Sequence, residues 1–132
     1  MTVSATLPGR VILCVDDEPT GLSVRKMFLE FQGYRVLTAE NGAAALELFL
    51  SEEIDLVILD YAMPGMNGGV VAEKMKALKP TVPLLLLSAY INLPAETLAH
   101  VAKYVTKGEA PVVLLQSIAE LLSKKSAATS AA

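Results

Sequence analysis

A chain of 132 residues, 53% hydrophobic and 19% charged, can bury the core of one globular domain; disordered and collagen-like classes are excluded, and a second domain is not expected. Its 11 basic and 14 acidic residues give a net charge of -3 with no basic block, which argues against a nucleic-acid surface. No apolar run approaches a membrane span, no secretory leader opens the chain, and the single cysteine, Cys14, cannot form an internal disulfide, so a soluble cytoplasmic protein is expected.

Residues 1–9 lack periodicity and residues 124–132 are small and polar; both are expected as flexible tails around a domain at 10–123. Val11 to Val15 is a short, fully apolar run that stops at Asp16-Asp17, the pattern of a central strand buried on both faces, with Cys14 inside it as a small hydrophobe. Pro19 suits the first turn of a helix, on which Val24, Met27, Phe28 and Phe31 predict the buried stripe and Gly33 the end. Arg35 to Thr38 reads as a second strand. A helix from Asn41-Gly42 to about Ser51 follows, with Ala45, Leu46 and Phe49 on one face. Leu56 to Leu59 is a third strand, ending at Asp60. After a Pro/Gly-rich loop, a helix from about Gly68 carries Val71, Met75 and Leu78. Pro83 to Leu87 predicts a fourth strand ending at Ser88. Leu98, Val101 and Ala102 suggest a short helix, Tyr104 to Thr106 a fifth strand, and Pro111 to Leu122 a last helix.

Five alternating strand–helix units with doubly buried strands predict an α/β fold, a doubly wound parallel sheet with helices on both faces. In such sheets functional groups gather at the carboxyl ends of the strands. There the sequence places Asp16, Asp17 and Asp60, with Ser88 and Lys107 ending the fourth and fifth strands. Carboxylates about 5 Å apart repel by about 3 kcal/mol per pair at an effective dielectric near 20, so the cluster calls for a cation. Oxygen ligands without His or Cys select a hard divalent ion, Mg²⁺ before others. A lysine and a hydroxyl beside it complete the parts that stabilise a transferring phosphoryl group.

The acidic pair Asp16-Asp17, the stretch Asp60-Tyr61-Ala62-Met63-Pro64-Gly65-Met66-Asn67-Gly68, Ser88-Ala89 and Tyr104-Val105-Thr106-Lys107 resemble the receiver domain of two-component response regulators, across Val11 to Leu122. The resemblance implies a five-stranded sheet of order 2-1-3-4-5, with Asp60 as phosphoacceptor for a histidine kinase or histidine phosphotransfer protein. It implies that Asp17 binds Mg²⁺ directly, Asp16 mainly through water, and the Ala62 carbonyl as a further ligand beside Asp60. Ser88 and Lys107 would contact the acyl phosphate, Tyr104 would be the aromatic switch, and the output would be a phosphorylation-dependent contact with a downstream protein, with the only chemistry on the chain's own Asp60. Whether the chain forms a homodimer stays open.

Singly, each residue has a plainer reading: Asp16-Asp17 as a helix cap, Asp60 as a turn residue, Lys107 as a surface lysine, Tyr104 as core. Their joint occurrence favours the site. His100, without a metal-spaced partner, reads as a surface residue. Two departures from the family stand out. Gly108 replaces the usual proline after Lys107, which predicts a trans bond, since a cis bond without proline costs about 2.5–4 kcal/mol. The stretch from Ser88 to Lys107 is shorter than usual by about one helical turn, so the fourth helix should be short, shifted or partly unwound. Two other functions are open: a receiver-shaped scaffold that is never phosphorylated, and a Mg²⁺-dependent phosphatase with an aspartate nucleophile. The second wants Asp-x-Asp on one loop, whereas Asp16 and Asp17 are adjacent.

Overall fold

The apolar runs form the centre of one sheet. The computed structural model describes residues 7, 9–89 and 92–131, with residues 125–131 in backbone only; of the expected N-terminal tail, residues 1–6 and 8 lie outside the described residues. In chain order the elements are β1 (Val11–Val15), α1 (Pro19–Phe31), β2 (Arg35–Ala39), α2 (Gly42–Ser51), β3 (Leu56–Asp60), α3 (Gly68–Leu78), β4 (Leu84–Ser88), α4 (Ala95–Leu98), β5 (Lys103–Thr106) and α5 (Pro111–Ala131). The strands pair in parallel in the order β2-β1-β3-β4-β5. The expected fold and strand order are both present.

Side chains alternate across the strands and so build two cores. Ile12, Cys14, Ile58, Leu85 and Leu87 pack under α1 and α5, against Leu22, Leu29 and Ile118. Leu13, Val15, Val57, Leu59 and Leu86 pack on the other face, under Phe49 of α2 and Val71 and Met75 of α3. Burying each such Leu, Ile or Phe side chain is worth about 1.5–3 kcal/mol, so these central strands anchor everything at their ends.

Three helices differ from the sequence expectation. In α1 the buried positions are Leu22 and Leu29, with Phe28 partly buried, while Val24, Met27 and Phe31 face outward, Phe31 with 88% of its surface exposed. Two apolar stripes overlap on this helix, and the sheet takes the one that continues Leu22 through Arg25. The helix α4 is a single short turn at Ala95–Leu98, so Val101 and Ala102 lie beyond it. It rests on α3, where Gly69 leaves room for the buried Thr97; a Cβ on Gly69 would stand 2.6 Å from the Thr97 hydroxyl oxygen. At the other end, α5 runs on to Ala131, past Leu122. Beyond its last core contact, the Ala-rich sequence still has high helix propensity.

Candidate functional site

Every side chain at the carboxyl edge is placed by a helix start or a strand end. Glu18 caps α1, its Oε1 accepting from Gly21 N at 2.6 Å, so capping falls to Glu18 and leaves Asp16 and Asp17 free of that role. Asn67 caps α3 in the same way, with Oδ1 accepting from Val70 N at 3.0 Å. The loop between β3 and α3 turns at Gly65, where φ is +78°, a left-handed conformation that other residues adopt only with strain. It then returns so closely that a Cβ on Gly68 would lie 2.5 Å from the Asp60 carbonyl oxygen; Gly68 N instead donates to Tyr61 O at 2.8 Å. A side chain at Gly68 would push α3 away from the end of β3. The loop glycines therefore belong to the site.

The structure brings the predicted acids together. Asp16, Asp17 and Asp60 each offer an oxygen within 4.8 Å of the others, with Asp16 and Asp60 buried and Asp17 exposed. Lys107, following β5, places Nζ 2.9 Å from Asp60 Oδ1 and 3.5 Å from Asp16 Oδ2. Ser88, buried at the end of β4, is tied to the lysine through its backbone, Lys107 N donating to Ser88 O at 2.8 Å. Tyr104 is half-buried on β5 opposite Leu86, and Ala62 is exposed in the loop after β3. Among the described residues no peptide bond is cis, so Lys107-Gly108 is trans as expected. His100 is half-buried at a cleft of about 230 Å³ between α3 and α4 and is not among the clustered ligand groups Asp16, Asp17 and Asp60.

The electrostatics follow from this crowding. Burial pushes the Asp60 carboxyl above its usual range; the Lys107 hydrogen bond opposes that, and the Asp16 and Asp17 charges reinforce it. For Lys107, burial alone would lower the pKa, but the contacts with Asp60 and Asp16 outweigh it and hold the ammonium above its ordinary value. Cys14, fully buried beneath the site, is pushed up to about 12 by burial and is an inert thiol. Three carboxylate oxygens in mutual reach, with no nitrogen or sulfur donor in the set, fit a hard divalent cation.

One residue at the site was not evident from the motifs. Arg25 of α1 lies with Nη1 3.3 Å from Asp16 Oδ2, its side chain only 14% exposed. Its signal in the sequence is a charge on the stripe of Leu22 and Leu29, visible only once that stripe, and not that of Val24 and Phe31, is known to face the sheet.

The family model for the response regulator receiver domain matches residues 12–119. The chain belongs to that family. Among curated relatives, the transcriptional regulatory protein GlrR of Escherichia coli is 34% identical over 121 residues, 89% of this chain and 27% of that protein. The receiver domain thus spans about a quarter of that relative. Among solved structures, the response regulator TrrA of Thermotoga maritima, determined in complex with Mg²⁺-BeF, is 37% identical with a TM-score of 0.81, covering 85% of this chain and 98% of that one. A structure of the histidine kinase ThkA in complex with TrrA matches at 38% identity and a TM-score of 0.80, covering 86% of this chain and 98% of that one.

Proposed function

We propose that this receiver domain accepts a phosphoryl group on Asp60 from the phosphohistidine of a histidine kinase or histidine phosphotransfer protein, and signals by presenting an altered surface to a downstream protein target. One observation carries the reading: a buried carboxylate at the open edge of the sheet, 2.9 Å from a lysine ammonium and clustered with two further carboxylates. In the transfer, an Asp60 oxygen attacks phosphorus while the bond from phosphorus to the donor nitrogen breaks. The donor imidazole, protonated on its other ring nitrogen, keeps the bonding pair and leaves neutral. Attack of water on the resulting acyl phosphate returns the Asp60 carboxylate and inorganic phosphate. This chemistry is confined to the chain's own aspartate; the domain is a signalling module with no other substrate.

Asp17 and Asp60, with the Ala62 carbonyl and Asp16 through water, would hold Mg²⁺. That ion, when bound, neutralises charge on the carboxylates and on the phosphoryl oxygens. The Mg²⁺-BeF complex of TrrA supports this choice of metal. Lys107 pairs with a phosphoryl oxygen after transfer, exchanging its contact to Asp60 for one to the modified group. The Ser88 hydroxyl donates to the same group. Because Lys107 N is anchored on Ser88 O, the two ends of β4 and β5 shift together, and Tyr104 takes the space released.

A protein donor has a place to sit. Val24, Met27 and Phe31 are exposed on α1, and Val24 also lines a mostly apolar groove of about 470 Å³ with Phe28, Leu114 and Lys107. This supports docking of an amphipathic protein face beside the phosphoacceptor, and the ThkA–TrrA complex shows a kinase bound to a relative. We place the domain in the cytoplasm with such donors; no helix of the described residues is long and apolar enough to cross a membrane. Labelled phosphoryl transfer from a panel of phosphorylated histidine kinases and phosphotransfer proteins tests the reading. Label should pass to the wild-type chain and not to Asp60→Asn; failure across the whole panel would favour the unphosphorylated scaffold.

A further inference from the structure

The pocket contains a second cation, Arg25, partly buried, that the phosphoryl chemistry does not use. Arg25 sits between Leu22 and Leu29 on the sheet-facing stripe of α1, a position that would ordinarily hold an apolar side chain. Its guanidinium reaches Asp16 Oδ2, whose side chain is 2% exposed, at 3.3 Å, and no other carboxylate pairs with Arg25 among the described residues. The same oxygen receives Lys107 at 3.5 Å, and the other oxygen of Asp16 accepts from Glu18 N at 3.0 Å. Asp16 is thus held from three sides. Asp17, by contrast, is exposed and has no ion pair among the described residues.

We propose that Arg25 is a positioning residue acting through Asp16: it fixes the buried carboxylate when no divalent cation is bound, and it sets how weakly Mg²⁺ binds. This rests on reading the carboxylate cluster as the Mg²⁺ site. The Arg25 guanidinium brings a full positive charge to 3.3 Å from one carboxylate of the cluster. Three carboxylates face two cations in the wild type; without Arg25 they face Lys107 alone. An incoming dication then meets a more negative pocket and an Asp16 no longer engaged by a charge-assisted hydrogen bond. The same change leaves the metal-free pocket with more uncompensated repulsion. Arg25 therefore trades metal affinity for stability of the metal-free state, and makes occupancy responsive to Mg²⁺ concentration.

Calorimetric Mg²⁺ titration of the wild type, Arg25→Met, Arg25→Gln and Arg25→Lys, alongside thermal melts in EDTA and in Mg²⁺, tests this. Arg25→Met and Arg25→Gln should bind Mg²⁺ about tenfold more tightly, equal to about 1.4 kcal/mol. Both should melt lower than wild type in EDTA and gain more from Mg²⁺. Arg25→Lys, which keeps the charge, should stay near the wild-type affinity. Should Arg25→Met fail to fold without metal, Arg25→Gln, which retains hydrogen-bonding capacity, carries the comparison with Arg25→Lys. A merely structural arginine would lower the melting temperature while leaving Mg²⁺ affinity unchanged or weaker, and that result in the folded neutral variants overturns the role of Arg25 alone. Absence of Mg²⁺ binding by the wild type would instead overturn the metal reading itself, and this inference with it.

Discussion

Replacing Asp60 by Asn should make the metal-free domain more stable at neutral pH, although it removes the phosphoacceptor. The Asp60 carboxylate is 4% exposed and shares the pocket with Asp16 and Asp17, oxygens within 4.8 Å, a repulsion of about 3 kcal/mol for each pair at an effective dielectric near 20. Lys107 at 2.9 Å returns about 6 kcal/mol on the same scale, so the charges nearly balance and burial decides the sign. Burial, opposed by the lysine, leaves the folded-state pKa raised. A raised folded pKa means that the native state binds this proton more tightly than the unfolded chain does. The stability contributed is present below the unfolded carboxylate value, about pH 4, and is lost as pH rises through the folded value. Above that folded value the wild type has lost it. The amide introduced by Asp60→Asn has no proton to lose, still accepts from Lys107 through its oxygen, and should bring a gain in stability at neutral pH, because the unfavourable burial of the charge is gone. Urea unfolding in EDTA from pH 4 to pH 8 reads this directly: the advantage of Asp60→Asn should be largest at neutral pH and fade toward pH 4. Adding Mg²⁺ should narrow it, because the cation stabilises the wild type more. An Asp60→Asn protein less stable than wild type at pH 7, or a pH-independent difference, would refute the balance of charge and burial described here.

Asp17→Ala should weaken Mg²⁺ binding more than Asp16→Ala, since Asp17 is exposed to an incoming ion while Asp16 is engaged by Arg25 and Lys107; equal affinities in titration would contradict that order. The segment 92–102 has one short turn of helix and a single buried side chain, Thr97, so its amides should exchange fast in the unphosphorylated protein and slow on phosphorylation or beryllofluoride binding. Strong protection in both states would show a rigid segment and contradict its ordering on phosphorylation.

Much of this was legible in the sequence because strands buried on both faces leave a strong mark. β1, β3 and β4 are unbroken apolar runs, each stopped by the polar residue that the site needs, so fold and site could be read together. The helix α1 was harder. Six of its residues from Leu22 to Phe31 are apolar, so period alone could not decide which stripe faces the sheet, and the larger side chains turned out to lie outside. That choice also hid Arg25, whose charge means something only on the inner stripe. In α4 the apolar positions Val101 and Ala102 belong to the approach to β5, where Ala102 N donates to Leu84 O at 2.8 Å, and the helix itself is set by Pro94 and by the fit of Thr97 on Gly69. Contacts of that kind, between residues far apart in the chain, leave no local pattern.

The central claim is that Asp60 is the phosphoacceptor of a Mg²⁺-dependent site. Intact mass spectrometry after incubation with acetyl phosphate tests it most directly, in Mg²⁺ and in EDTA, on the wild type and on Asp60→Asn. The wild type should gain one phosphoryl group in Mg²⁺ only, mapped to Asp60 by fragmentation, and Asp60→Asn none. An unmodified wild type in Mg²⁺, or an adduct that forms in EDTA or persists in Asp60→Asn, would contradict it.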